Sequence, residues 1–146
     1  MPAWVDAAFE DYSRRLSGPW KLELKVLSPA SRREAGGASE AAKALEAKRI
    51  LALLSPREVV VPLDEHGEQL STLELARWLE AQRAAGQDLT FIIGGPDGLA
   101  QGVLARGRRL WSLSRLTLPH ALVRVVLAEQ IYRAAMVLAG HPYHRG

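Results

Sequence analysis

Apolar positions recur along this chain in two periods. Trp4, Val5, Ala8, Phe9, Tyr12 and Leu16 fall on one face at 3.6-residue spacing and predict a helix over residues 3–16. Residues 20–27 alternate instead, with Leu22, Leu24 and Val26 against Lys21, Glu23 and Lys25, the pattern of a half-exposed strand. Residues 28–37 have loop chemistry, rich in Ser, Gly and Arg. A stripe of Ala38, Ala41, Ala42, Leu45, Ala52 and Leu53 predicts a helix over 38–54. The run Glu58-Val59-Val60-Val61-Pro62-Leu63 reads as a strand buried on both faces and ending at Pro62, with Asp64-Glu65-His66-Gly67 turning away. Ser71 and Glu74 form a capping box ahead of a helix that carries Leu75, Trp78 and Leu79 and stops near Gly86.

Leu89-Thr90-Phe91-Ile92-Ile93 reads as a second buried strand, running straight into Gly94-Gly95-Pro96-Asp97-Gly98. A short helix over 99–106, a short strand over 109–113 and an irregular apolar loop over 114–120 follow. Residues 121–139 form the longest helix, apolar nearly all round, so one face is expected on the sheet and another on a second subunit. Strands alternating with helices imply an α/β fold with a mainly parallel sheet. With 146 residues and neither linker nor repeat, residues 1–146 are read as one domain. The helix at the start is odd, because the alternation places a strand before it.

Composition narrows the chemistry. There is no cysteine, which excludes disulfide scaffolds, zinc–thiolate sites, iron–sulfur clusters and cysteine nucleophiles. Neither a membrane span nor a signal peptide is visible, so a soluble, cytosolic protein is expected. The net charge of +3 is unevenly spread. Residues 1–100 hold 12 basic and 15 acidic side chains, whereas residues 101–146 hold seven arginines against the single acid Glu129. Arginine without lysine suits the paired oxygens of phosphate or carboxylate and so nucleic-acid binding; solubility, or ion pairing with the acidic part of the chain, is the alternative.

Ligands of open parallel sheets sit beyond the carboxyl ends of the strands. Three segments occupy such positions: Leu63-Asp64-Glu65, the glycine-rich run at 94–98, and residues 113–120. The glycines fit neither a dinucleotide fingerprint nor a P-loop, and a plain tight turn is the alternative. Ser112 and Ser114 sit in no nucleophile elbow, which disfavours a serine hydrolase. His141 and His144 lack a neighbouring carboxylate and make a weak metal signal. Tyr143, His144 and Arg145 suit RNA better, through base stacking and phosphate contact. His120 either caps the last helix or touches substrate. Asp64, Glu65 and Asp97 could serve acid–base chemistry, but acids in turns more often cap or face water. The four tryptophans are assigned mostly to packing faces.

Four blocks taken in order resemble one family. They are Phe91-Ile92-Ile93-Gly94-Gly95-Pro96-Asp97-Gly98; Leu110-Trp111-Ser112-Leu113-Ser114-Arg115-Leu116-Thr117-Leu118-Pro119-His120; Val123-Arg124-Val125 with Glu129-Gln130-Ile131-Tyr132-Arg133-Ala134; and His141-Pro142-Tyr143-His144-Arg145. They look like the bacterial ribosomal RNA large subunit methyltransferase H family, of the SPOUT class. The resemblance covers nearly the whole chain and is densest over residues 89–146.

The resemblance implies a SPOUT-type parallel sheet flanked by helices with a C-terminal trefoil knot. It implies S-adenosyl-L-methionine as cofactor and N3-methylation of a pseudouridine in 23S rRNA on the assembled ribosome. It implies a homodimer, with no metal and no membrane. Carried over by position, the cofactor contacts fall on Leu63, Gly94, Leu113, Ser114, Arg115, Leu116, Thr117 and Leu118. The RNA contacts fall on His120, Arg133, Tyr143, His144 and Arg145. Arg133 or Arg145 would stabilise the deprotonated pseudouridine, and His144 would relay its proton.

The chain departs from the family pattern at its start. Family members open with a strand, and this first family strand is missing here. Its absence should cost core burial and leave an edge or slot. A start site placed too late would explain it, as would a truncated, unstable or inactive paralogue. A catalytically inactive ribosome-binding or assembly factor of the same fold is therefore the competing reading. A SPOUT enzyme acting on another RNA, such as tRNA, is the third.

Overall fold

The computed structural model describes residues 1–27, 39–95 and 97–140. Among the described residues, five α-helices and two strands follow one another: α1 (Ala3–Arg15), α2 (Ser39–Leu53), β1 (Val59–Glu68), α3 (Thr72–Ala84), β2 (Leu89–Ile92), α4 (Gln101–Arg106) and α5 (His120–Leu138), with a 3₁₀ turn at Gly18–Trp20. β1 and β2 run parallel in the register Val59↔Leu89 to Pro62↔Ile92. A parallel pair needs a crossover, and α3 supplies it. α3 is started as its sequence dictates. The Ser71 hydroxyl accepts from the Glu74 N–H at 3.1 Å, and the Glu74 carboxylate accepts from the Ser71 N–H at 3.0 Å. Gly86, at φ +70°, stands just past the helix end.

The period-2 alternation of β1 divides the core in two. Val59 and Val61 point to one face, where they meet Leu16 after α1, Leu75, Ala76 and Leu79 of α3, and Leu127, Ile131, Ala134 and Ala135 of α5. Val60 points to the other face, with Ala47 of α2, Ile92 of β2 and Val103 of α4. The result is a helix–sheet–helix sandwich, the α/β arrangement with a parallel sheet expected from the alternation. α5 packs on both α1 and α3, and its Thr72–Gln130 hydrogen bond of 2.8 Å ties it to the first turn of α3. Arg124, nearly buried on α5, reaches Asp6 of α1 at 3.6 Å.

Several expectations need correction. Residues 20–27 form no strand: Lys21–Leu27 run without regular structure, and Leu24, Val26 and Leu27 are exposed. Alternation makes a strand only where another strand offers hydrogen-bonding groups, and none among the described residues does. β1 does not end at Pro62, and 64–67 do not turn away. The strand continues to Glu68 because it changes partner: Leu63 and Glu68 both form parallel bridges to Trp111. The expected strand at 109–113 shrinks to that one residue. β2 is only half-buried, with Ile92 alone fully inside, because among the described residues one of its edges has no neighbouring strand. Trp4 is 55% exposed rather than packed, while Trp111 is buried at 3%.

Candidate cofactor and RNA site

The parallel register sets the site. Pro62 pairs with Ile92, so Leu63 lies beside Ile93 and one step from Gly94 at the carboxyl end of the sheet. On its other side Leu63 bridges Trp111, which places residues 112–118 at the same end. The three segments singled out by strand-end reasoning therefore converge on one place.

Two glycines make this crossing sterically feasible. A Cβ on Gly67 would lie 2.7 Å from the carbonyl carbon and oxygen of Leu110, so only hydrogen lets β1 pass the third segment. A Cβ on Gly107 would come within 2.5 Å of the Pro62 ring. A Cβ on Gly94 would also be crowded, 3.0 Å from the Gly98 backbone and the Leu99 side chain, whereas the space beside Gly95 is open. The glycine-rich run closes on itself through the Gly98 N–H to Gly95 C=O bond of 3.0 Å. A tight turn is thus present, as the plainer reading held, and it sits where a ligand backbone contact would be needed.

The loop after Trp111 is shaped by two serines. The buried Ser112 hydroxyl donates to the Ser114 carbonyl at 2.9 Å, and the Ser114 hydroxyl accepts from the Leu116 N–H at 2.9 Å. The Ser112 N–H is spent on the Glu68 carbonyl at 2.8 Å. Among the described residues, the N–H groups of Leu113, Arg115, Thr117 and Leu118 have no hydrogen-bond partner. Leu116 is 73% exposed, while Leu63 and Leu113 are half-buried against the core. An apolar shelf rimmed by free backbone donors suits a flat heteroaromatic ring with a hydrogen-bonding edge. The Trp111 indole N–H is buried without a hydrogen-bond partner among the described residues. These residues fit an adenosine-bearing cofactor.

The RNA set is less concentrated. His120 is exposed at the first turn of α5. Arg133 lies 13 residues further along the same helix, about 20 Å away at 1.5 Å per residue. Its guanidinium holds Glu129 at 2.6 Å. Tyr143, His144 and Arg145 lie outside the described residues. Among the described residues no group of acidic and histidine side chains could hold a metal. No described helix is long and apolar enough to cross a membrane.

Two residues escaped sequence reasoning. Ser112 was weighed only as a nucleophile, yet it is a buried brace for the loop. Its signal was the Ser-x-Ser spacing ahead of a polar turn, which matches local hydroxyl-to-backbone bonding. The spatial role of Gly67 left no sequence signal.

The family model described as "Predicted SPOUT methyltransferase" matches residues 1–144. Proteins called ribosomal RNA large subunit methyltransferase H align with 99% of the chain and 92% of their own length. That of Thiobacillus denitrificans is 52% identical over 145 residues, that of Laribacter hongkongensis 48% and that of Bordetella pertussis 46%. The chain belongs to the ribosomal RNA large subunit methyltransferase H family, of the SPOUT methyltransferases.

Proposed function

We propose that this protein is an S-adenosyl-L-methionine-dependent methyltransferase of 23S rRNA that methylates N3 of a pseudouridine on the assembled ribosome, in the cytoplasm and as a homodimer. The observation that carries the reading is the convergence of Leu63, Gly94 and the Ser-braced loop 113–118 at one sheet end, in a chain 52% identical to a ribosomal RNA methyltransferase. The reading includes a knot formed where the chain after Trp111 passes the β1 segment.

When bound, the cofactor would supply a methyl group already activated by a sulfonium, transferable to N3 with the sulfur leaving as a thioether. The chain's residues do the rest. Leu63, Leu113 and Leu116 would hold the adenine by apolar contact, and the N–H groups at 113, 115, 117 and 118 would read its edge. The space beside Gly95 admits the remainder. The N3 proton must leave before or during attack, and His144 takes it, with Arg145 or Arg133 stabilising the anion. Most of the rate advantage then comes from alignment of nitrogen, carbon and sulfur.

His120 and Arg133, about 20 Å apart on one helix, cannot touch the same nucleotide from one subunit. A homodimer resolves this by letting two copies frame one RNA site.

The test is methyl transfer from labelled cofactor to 70S ribosomes, with the modified nucleoside identified by mass spectrometry. N3-methylpseudouridine on 23S rRNA is the expected product. Cofactor binding without transfer to any RNA would favour the inactive assembly factor, and transfer to tRNA instead would reassign the substrate. For the relay, His144→Ala should flatten the pH profile of kcat; full activity at every pH removes that role.

A further inference from the structure

Four side chains form one hydrogen-bonded series that begins on α3 and ends at Arg133 on α5. The Thr72 hydroxyl donates to Gln130 Oε1 at 2.8 Å, and Gln130 Nε2 donates to Glu129 Oε2 at 2.7 Å. The other carboxylate oxygen of Glu129 accepts from Arg133 Nε at 2.7 Å and lies 2.6 Å from its Nη2. The series has one possible direction. An ionised carboxylate only accepts, so Gln130 must turn its NH2 group to Glu129 and its carbonyl to Thr72, and Thr72 must donate. Both oxygens of Glu129, the only acid in residues 101–146, are engaged in this way.

An exposed Glu–Arg pair four residues apart on a helix contributes little. This one differs. Its side chains are only 17% and 20% exposed, and the carboxylate is anchored, through Gln130, to a second helix. Thr72 is itself fixed, as the first residue of α3 beside the Ser71 cap. Four residues before it stands Glu68, whose carbonyl accepts from the Ser112 N–H at 2.8 Å at the root of the loop 113–118. The series thus ties Arg133 to the end of β1 that carries that loop.

We propose that Thr72, Gln130 and Glu129 are positioning residues for Arg133, holding its guanidinium in one orientation toward the RNA. The inference rests on the reading given above, in which Arg133 meets RNA and stabilises the deprotonated base. An arginine loses much rotamer freedom when it is fixed. If it is fixed before the RNA arrives, none of that loss falls on the transition state, where a preorganised donor counts most. Glu129 also balances its charge. Arg133 therefore contributes directed hydrogen bonds rather than counterion release, and the salt dependence of binding falls to other arginines.

Three variants test the series. Thr72→Val removes the donor at nearly constant shape, and Thr72→Ser restores it. Gln130→Met keeps the length of the side chain and breaks both of its bonds. The first readout needs neither RNA nor cofactor: hydrogen exchange of the Arg133 Nε–H, followed by NMR and assigned by its loss in Arg133→Ala. Exchange should rise about 5-fold in Thr72→Val, rise further in Gln130→Met, and return to the parent rate in Thr72→Ser. The second readout is methyl transfer to ribosomes. In Thr72→Val kcat should fall ~10-fold, with cofactor Kd and the salt slope of ribosome binding unchanged, and Thr72→Ser should recover it. In the Arg133→Ala background Thr72→Val should lower kcat no further, although it still lowers Tm; a merely structural tie between α3 and α5 would lower both in either background. An Arg133 Nε–H that exchanges alike in the parent, Thr72→Val and Gln130→Met overturns the proposal. So does a kcat loss that persists undiminished when Arg133 is alanine. Parent-level transfer in Arg133→Ala overturns the assignment of Arg133 to RNA and the proposal with it, whereas an impaired Arg133→Ala beside a fully active Thr72→Val overturns the positioning role alone.

Discussion

Ser112 shows how one hydroxyl can govern a site it does not touch. It is buried, it gives its proton to the Ser114 carbonyl, and the Ser114 hydroxyl in turn receives the Leu116 N–H. Ser112→Ala removes the first link and leaves the loop free to sample other shapes. A hydrogen bond of this kind has a net worth of about 0.5–1.5 kcal/mol, so cofactor Kd should rise ~3–10-fold. Calorimetric titration checks this, and a Kd unchanged with Tm lowered would make Ser112 a mere packing residue. Gly67 acts through space instead. Gly67→Ala drives a methyl to 2.7 Å from the Leu110 carbonyl, backbone against backbone, where no side chain can yield. Overpacking of that sort costs about 1–3 kcal/mol, and denaturant unfolding should find it. The Gly67 role was not legible in the sequence, because it depends on which segment the chain brings alongside, whereas the Ser112 bond is local and left the Ser-x-Ser spacing as its one trace.

At the scale of elements, the sequence was informative wherever a signal was local. The capping box Ser71-x-x-Glu74 marked the start of α3 to the residue, and periodicity placed α1, α2 and α5 within a residue or two. It misled where the outcome depends on a partner. Residues 20–27 alternate like a strand but find no ladder; β1 outruns Pro62 because Trp111 takes over as its partner. The three strand-end segments were found because ligand position follows from sheet polarity, whereas their convergence needed the register. The cap makes a prediction of its own. Ser71→Ala should destabilise the protein by about 1 kcal/mol. Glu74 is held below the ordinary carboxylate range, first by the Ser71 N–H and then by its hydroxyl. A lowered folded value means that this contribution is present above the unfolded pKa and disappears as pH falls through the folded one. Urea unfolding of the protein and of Glu74→Gln should therefore differ near pH 7 and converge at acid pH.

The whole molecule redistributes the charge that composition makes conspicuous. The final third holds seven arginines, and nucleic-acid binding and intramolecular pairing were both open readings of them. The structure assigns most of the described ones inward. Arg106 donates to the Ser55 carbonyl at 2.7 Å; Arg109 pairs with Glu68 at 3.2 Å and lies 5.4 Å over the Trp78 ring; Arg124 pairs with Asp6, and Arg133 with Glu129. Two of these pairs, those of Arg109 and Arg124, cross from the basic third into the acidic remainder. Arg108 and Arg115 are left exposed and, among the described residues, without an ion pair. Among the described arginines of the final third, these two are free to displace counterions from an RNA backbone. Each phosphate contact contributes about 0.7–0.9 to the slope of log K against log salt. Arg115→Ala should lower that slope for ribosome binding by about one such increment, with little change in Tm. Arg124→Ala should do the reverse: the slope stays and the stability falls, because it unpins α5 from α1 and leaves Asp6 without its cation. Binding isotherms at several salt concentrations, set beside thermal unfolding of the same two variants, separate the arginines that recognise from those that hold the fold. An unchanged slope in Arg115→Ala together with a reduced one in Arg124→Ala would invert the assignment, making Arg124 the phosphate contact and Arg115 a residue of the loop alone.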